Sequence, residues 1–473
     1  MPAKFGTSGL RGLVKDITDG TCERHVRGYL RHLIAKGSAK KGDNVYIGQD
    51  FRPSSLKIAT QTFNAVFLEG FVPIDCGALP TPALANYAMK NASASIMITG
   101  SHIPSDRNGI KFYRGDGEID KTDEIAIANF ANDVEIQTAA NTFNISNEHK
   151  AAMKLFAERF SGLIPADAFL GKRIGIYEHS SVARDFLHDL LQSFGAETIS
   201  LGRSEGFIPV DTEAVSEETQ ATIKKWTPEY NLDAIISTDG DADRPLLSDE
   251  NGKVIKGDVL GFITCRFLEA DRIATPISSN SGIKDTDHVK VTKTRVGSPY
   301  VIEAMNEAIA QGGTRVTGFE ANGGFLVASD IAIGSKTLDA LPTRDCILPL
   351  LAPLSLAFSR NKSLSELVID HALPTTQAGR IQEFPTDVGQ KLIAELKNNR
   401  VSSDRFFASF GKIANINTID GLRVTLDNEE IIHLRPSGNA PEMRCYIEAR
   451  DETHADELVR KVITHIRSHV AVK

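Results

Sequence analysis

Apolar and polar positions change period repeatedly along this chain. NVYIGQD (residues 44–50) is a short apolar run and predicts a strand, while LKIATQTFNAVFLEG (56–70) spaces its apolar residues by three and four and predicts a helix closed by Gly70. VPIDCG and ASIMITGSH then predict two further strands. The same grammar returns in KRIGIYE, ARDFLHDLLQSFG, ETISLG and LDAIISTDGDADRP, and again in DRIATPIS, VKVTKTRVG, YVIEAMNEAIAQGG and RVTGFEANGGF. Strands that alternate with amphipathic helices predict α/β units with mixed, mostly parallel sheets. After about residue 370 the pattern becomes strand, turn, strand, with turn signals at Asp420-Gly421 and Asp427-Asn428, and HADELVRKVITHI closes the chain as a helix. This predicts a C-terminal α+β domain on an antiparallel sheet. The expected domains are 1–145, 146–255, 256–370 and 371–473, each of the first three being one α/β unit.

Each unit ends where an apolar strand runs into a polar, glycine-bearing loop. Ligands of open α/β sheets bind at the carboxyl ends of strands, so three such loops are expected to face one cleft.

Composition narrows the function. The chain has 473 residues and a net charge of −8, which gives no reason to expect nucleic acid, whose phosphates need surplus Lys and Arg. The five scattered cysteines lack metal-ligand spacing and suit a reducing compartment. CILPLLAPLSLAF is too short, and too broken by proline, for a membrane span. The opening MPAKFGTSGLRG lacks the apolar core of a signal peptide. The expectation is a soluble, cytoplasmic protein without a membrane partner.

IISTDGDADRP carries the strongest chemistry. Asp239, Asp241 and Asp243 crowd together after an apolar strand, and a hard divalent cation such as Mg²⁺ relieves their repulsion. An EF-hand calcium loop is the rival, with Glu250 on its twelfth position, although Arg244 stands where that loop needs glycine. A solvated acidic turn is the other alternative. Arg244 beside the carboxylates makes sense if a phosphate is held next to the metal. In LRPSGNAPEMRC, Arg435, Ser437, Gly438 and Asn439 offer a guanidinium, a hydroxyl, an amide and backbone N–H groups suited to phosphate oxygens; a plain hairpin turn is the alternative. Glu320 and Asn322 in GFEANGGF suit adjacent sugar hydroxyls, or form an ordinary turn. FGTSGLRG supplies Arg11. Ser101 sits in TGSHIPS without the G-x-S-x-G of a hydrolase elbow, and adjacent His102 is poorly placed to deprotonate it. If the metal and phosphate loops converge, Ser101 can take and return a phosphoryl group, with Lys111 as acid–base group or charge partner, or merely a solvated lysine.

In order along the chain, GTSGLRG, TGSHIPSDRNGIKFY, DGDADRP, GFEANGGF and RPSGNAPEMRCY resemble the motifs of the α-D-phosphohexomutase family, in its bacterial phosphomannomutase/phosphoglucomutase branch. The resemblance implies a heart-shaped, four-domain enzyme around a central cleft, with one loop from each domain. It implies that Ser101 is a phosphoserine that binds Mg²⁺ together with Asp239, Asp241 and Asp243. The phosphoryl group passes to a hexose phosphate, forming a hexose 1,6-bisphosphate that also serves as activator. Glu320 and Asn322 then read the sugar; Arg435, Ser437, Gly438 and Asn439 hold the non-reacting phosphate; Arg11, His102, Lys111 and Arg244 assist transfer. Arg295-Val-Gly-Ser298 resembles the loop that separates the sugar's two orientations. The chain departs from the family at Gly100, Ile103, Ala242, Asn322 and Gly324, where alanine, asparagine, glycine, serine and histidine are common. Phosphoglucosamine mutase, phosphopentomutase and a non-catalytic sugar-phosphate binder are the rival functions. A monomer or homodimer is expected.

Overall fold

The computed structural model describes residues 3–6, 9–137, 145–437 and 441–471. Among the described residues, four sheets follow one another along the chain, with a small two-stranded hairpin beside the third. In the first sheet the strands Asn44–Gln49, Val72–Ala78 and Ala94–Ile98 run parallel. Arg107–Arg114 then returns antiparallel to Ala94–Ile98. The second sheet pairs Arg173–Tyr177 in parallel with Glu197–Leu201 and Ala234–Thr238, and Pro245–Ser248 returns antiparallel. The third repeats this plan: Arg272–Pro276 is parallel to Lys290–Thr294 and Val316–Phe319, and Phe325–Val327 returns antiparallel. The sheets are mixed, with a parallel centre and an antiparallel edge. In the fourth sheet every pairing is antiparallel, in the order Thr375–Ile381, Met443–Ala449, Ile431–Pro436, Leu422–Leu426, Ile413–Asn417.

The antiparallel returns explain the loops. Each candidate loop of the first three units links the last parallel strand to its return strand, and the RPSGNAPEM loop links Ile431–Pro436 to Met443–Ala449. The turn reading and the site reading of these segments are therefore compatible, because each hairpin tip lies at the carboxyl end of a buried strand. The strand Ser146–Asn147 pairs with Val72–Ala78, so the chain leaves the first sheet slightly later than the expected boundary at 145.

Local sequence accounts for the helices around these sheets. In Thr21–Ala35 the buried residues Cys22, Val26, Tyr29, Leu30 and Leu33 form one stripe. A capping box of Asp120 and Asp123 starts the helix Lys121–Asn132, and another of Ser363 and Glu366 starts Leu364–Asp370. The apolar stretch of low polarity forms the helix Leu348–Ser359, almost entirely buried inside the third unit. No helix among the described residues is long and apolar enough to cross a membrane.

One face of the first sheet packs on a core containing Tyr29, Phe63 and Phe112. Its other face belongs to a continuous core that runs from Tyr46 and Met97 through Phe156 and Ile236 to Phe319 and Leu351, so the first three units share a core. The last domain has a separate core around Phe406, Ile447 and Val462. It meets the others through polar contacts. The Asn280 side chain donates to the Pro374 carbonyl at 2.7 Å, Ser281 N–H donates to Glu448 at 3.1 Å, and Val296 N–H donates to Asp420 at 2.9 Å.

Two buried imidazoles make stability depend on pH. Nε2 of His179 meets the Thr238 carbonyl at 2.9 Å and Nε2 of His433 meets the Asp420 carbonyl at 2.7 Å, while both Nδ1 atoms lack a partner among the described residues. Burial pushes both groups down to about 4 from 6.5. As pH falls, the unfolded chain takes up these protons first. Their contribution to stability is therefore intact above pH 6.5 and declines toward pH 4, at up to about 1.4 kcal/mol per pH unit for each. Urea unfolding at pH 7 and pH 5 checks this: His433→Gln, which keeps a donor for Asp420, is expected to flatten the decline, and an unchanged slope would contradict it.

Candidate active site

The first site loop is held in a strained conformation. Ala94–Ile98 is buried throughout and delivers Ser101 into the interior at φ +55°, a region that an L-residue occupies only when its surroundings enforce it. Ser101 N–H donates to Thr99 Oγ1 at 2.8 Å, and Ser101 Oγ donates to Asp239 Oδ2 at 2.6 Å. Two residues that lie far apart in sequence thus meet at the tips of two hairpins.

Arg52, a residue that the sequence motifs did not single out, enforces the loop. Its guanidinium donates to the carbonyls of Ser101, Ile103, Pro104 and Arg107 at 2.8, 2.5, 2.8 and 3.0 Å. Asp50 pairs with it at 3.2 Å and also accepts from Ser55 and Thr99. The ring of Phe207 lies 4.1 Å from the guanidinium. Gly100 makes room for this arrangement, since a Cβ there would stand 2.8 Å from Arg52 Cζ. The recoverable signal was the D-x-R-x-x-S spacing of Asp50, Arg52 and Ser55 directly after a buried strand.

The acidic triplet is fully enclosed. Asp239, Asp241 and Asp243 each offer an oxygen within 4.8 Å of the others, and all three are buried. Burial, then the charges of Asp241 and Asp243, push Asp239 far above the usual carboxylate range. Burial also opposes charge on Asp243, but Arg344, Lys111 and Arg244 outweigh it and hold this group well below that range. Lys111 Nζ lies 2.6 Å from both Asp241 Oδ2 and Asp243 Oδ2, and Thr81 Oγ1 donates to Asp241 Oδ2 at 2.6 Å. Asp241 Oδ1 and Asp243 Oδ1 have no hydrogen-bond partner among the described residues. Buried carboxylate oxygens left unpaired in this way fit a hard cation such as Mg²⁺. Ala242 takes φ +55° between them. Glu250 turns elsewhere, toward Ser365 at the start of the helix Leu364–Asp370, so the twelfth ligand that an EF-hand requires is absent from the triplet.

Cations surround these carboxylates. Arg244 Nη1 lies 3.0 Å from His102 Nδ1, and Arg244 Nε lies 3.6 Å from Asp243 Oδ1. Because the guanidinium can only donate, His102 receives this bond at Nδ1. Burial and then Arg244 push His102 down to about 3, so it is a neutral ring. Burial, followed by the like charges of Arg244 and Arg344, pushes Arg11 down to about 10. Nearby carboxylates shift Arg244 and Arg344 up and keep both charged, so Arg11 stands against like charge, an arrangement suited to a phosphate dianion.

The sugar loop joins the same network. Glu320 and Asn322 are buried. Glu320 Oε2 pairs with Arg344 at 3.1 Å, Asn322 Oδ1 accepts from Gly324 N–H at 2.9 Å, and Thr212 Oγ1 donates to the Asn322 carbonyl at 3.1 Å. Arg344 and the segment Asp211–Glu213 are two further contributors that the motifs did not reveal; Arg344 reads as an ordinary strand residue in LPTRDC. Arg435 stands apart from this network. Its Nε donates to Asp420 at 2.9 Å, and Asp420 also receives the Val296 N–H. Ser437 is buried and its N–H donates to the Glu442 carbonyl at 2.8 Å. Gly438 and Asn439, like Thr7 and Ser8 of the N-terminal loop, lie outside the described residues. Glu213 links the two regions, 3.4 Å from Tyr446 OH and 3.8 Å from Arg444. A crevice of about 950 Å³ runs beside it, lined in part by Ala321, Arg423, Tyr446 and Glu448.

Residues 2–137 match the description "Phosphoglucomutase/phosphomannomutase, alpha/beta/alpha domain I", residues 256–373 match domain III of that family, and residues 387–465 match its C-terminal domain. A phosphomannomutase of Sinorhizobium fredii is 47% identical over 99% of both chains. The chain belongs to the phosphoglucomutase/phosphomannomutase family. A phosphomannomutase of Salmonella muenchen is 43% identical, over 98% of this chain and 95% of the relative. The fold is similar to that of a solved phosphoglucomutase/phosphomannomutase family protein from Burkholderia thailandensis, at TM-score 0.75 and 17% identity, with 98% of this chain and 97% of the other covered. Membership makes this chain a mutase-family enzyme, and the three fully described loops of the phosphohexomutase resemblance meet in one site.

The contacts of Arg52 give the first test of this site. Arg52→Lys keeps one charge but cannot reach four carbonyls, so kcat is expected to fall about 100-fold with KM changed less than about threefold. Steady-state kinetics check this, with thermal unfolding as a control; a kcat within twofold of wild type would remove Arg52 from the account.

Proposed function

We propose that this enzyme interconverts hexose 6-phosphate and hexose 1-phosphate, with mannose and/or glucose as the sugar, through a phosphorylated Ser101. The observation that carries the reading is the 2.6 Å contact of Ser101 Oγ with Asp239 inside a buried, cation-ringed carboxylate triplet. The two relatives named phosphomannomutase support mannose as a substrate.

Asp239, Asp241, Asp243 and the phosphate of Ser101 would hold Mg²⁺, which would supply positive charge to offset that of the phosphoryl oxygens. Arg11 and Arg244 cradle the reacting phosphate, with neutral His102 oriented by Arg244. The free sugar hydroxyl forms a bond to phosphorus as the bond from phosphorus to Ser101 Oγ breaks. Ser101 then regains a proton while the hydroxyl loses one, so no net proton is consumed. Lys111 acts as a charge partner, because its Nζ lies 2.6 Å from carboxylate oxygens of both Asp241 and Asp243. Glu320 and Asn322 face the sugar hydroxyls, and Arg435, Ser437, Gly438 and Asn439 take the distal phosphate. The bisphosphate reverses in the cleft and returns its other phosphate to Ser101. A hexose 1,6-bisphosphate primes the enzyme. Burial of all five unpaired cysteines suits work in a reducing cytoplasm.

The test is a parallel assay with Mg²⁺, a trace of glucose 1,6-bisphosphate and mannose, glucose or glucosamine 1-phosphate. Mannose or glucose phosphate is expected to turn over fastest, with Ser101→Ala lowering kcat/KM at least about 1,000-fold. Preference for glucosamine phosphate would reassign the substrate, and no turnover of any would favour a non-catalytic binder. In the same assay Arg435→Ala is expected to raise KM about tenfold or more, and an unchanged KM would remove this loop from phosphate binding.

A further inference from the structure

Arg344 is bound to carboxylates of both functional loops. It lies in the strand Leu341–Asp345 and is 2% exposed. Nε and Nη2 both stand 2.9 Å from Asp243 Oδ2, while Nη1 stands 3.1 Å from Glu320 Oε2 and donates to Ser298 Oγ at 3.3 Å. Ser298 in turn donates to Glu118 at 2.9 Å. One guanidinium therefore touches groups from the second and third units and reaches the first through Ser298. The stem crosses the sugar loop where there is no side chain to block it: a Cβ on Gly324 would lie 2.6 Å from Arg344 Cδ.

We propose that Arg344 is a positioning residue that couples the cation site to the sugar site. This rests on the metal and sugar roles given above. Asp243 Oδ2 is taken by Arg344 and Lys111, which leaves Oδ1 without a hydrogen bond and turned to other use. Glu320 Oε2 is turned to the same guanidinium, so Oε1 is the oxygen available to a sugar hydroxyl. The fork is rigid and planar, so fixing one carboxylate fixes the direction of the donor that holds the other. A cation on the triplet orders one arm, and a sugar on Glu320 orders the other; whichever binds second meets a fork already set. A lysine reaches one carboxylate at a time and lacks this property.

The experiment measures Mn²⁺ binding to the full-length, dephosphorylated protein, by the resonance of the free ion, with and without saturating mannose 1-phosphate. Without a phosphoryl donor no turnover intervenes. Wild type is expected to bind Mn²⁺ about fivefold or more tightly when the sugar phosphate is present. Arg344→Gln and Arg344→Lys are expected to bring that ratio below about 1.5, and the lysine result separates a fork from a mere charge. Glu320→Gln, which leaves the metal loop untouched, is expected to lower the ratio as well, and it reads the coupling should an Arg344 variant fail to fold. A ratio that persists in all three variants would overturn the proposal, as would a wild-type ratio below about two. Wild-type protein that binds no Mn²⁺ would instead overturn the metal reading beneath it.

Discussion

Three carboxylates packed into a dry interior dominate this structure. Asp239, Asp241 and Asp243 are each within 1% of full burial, and charges this close in a low dielectric repel strongly unless they are compensated. The compensation comes from elsewhere in the chain. Lys111 arrives from the first unit and Arg344 from the third, while Arg244 follows directly from the acidic loop. Thr81 adds a hydroxyl from the first unit. The electrostatic demand of one loop therefore fixes where the other units must stand. The same cations, with Arg11 beside Arg244 and Arg344, suit a phosphate.

The repeated hairpin explains how so many groups reach one place. A parallel strand ends, its loop turns, and an antiparallel strand carries the chain back, so each tip is anchored at both ends. Ser101 can then hold a left-handed backbone, with Arg52 tying down four carbonyls beneath it. The first three units share an apolar core, which holds their loops on one frame. The last domain has a core of its own and touches the frame through polar groups such as Asp420, Glu448 and Tyr446. Contacts of that kind are easily broken and remade, which suits the phosphate-binding role proposed for the loop of this domain.

Much of this was legible in the chain. The alternating strands and helices, the switch to an antiparallel sheet and the three polar loops at the ends of buried strands follow from period and turn chemistry. The acidic triplet is visible because its members are two residues apart. Arg52 and Arg344 were not singled out, for a physical reason: each acts at the end of a long side chain on groups distant in sequence, so the neighbours of Arg344 carry no trace of its role and those of Arg52 only the D-x-R-x-x-S spacing. Gly100 and Gly324 are the trace, since each is bare where an arginine passes; read alone, they were departures from a family pattern. Lys111 was left open between acid–base group, charge partner and solvated lysine, and its burial between two carboxylates argues against the solvated lysine and favours the charge partner. The Glu250 alternative could be weighed in sequence by the missing glycine but was settled by direction, because Glu250 points to another helix.

In the proposed mechanism Ser101 carries the phosphoryl group. Intact-mass analysis of the dephosphorylated protein, after incubation with a hexose 1,6-bisphosphate and Mg²⁺, tests it most directly. The expected result is a gain of one phosphoryl group that maps to Ser101, vanishes in Ser101→Ala, and is discharged when a hexose 1-phosphate is added. A wild-type mass that does not change, or a phosphoryl group that persists in Ser101→Ala, would contradict it.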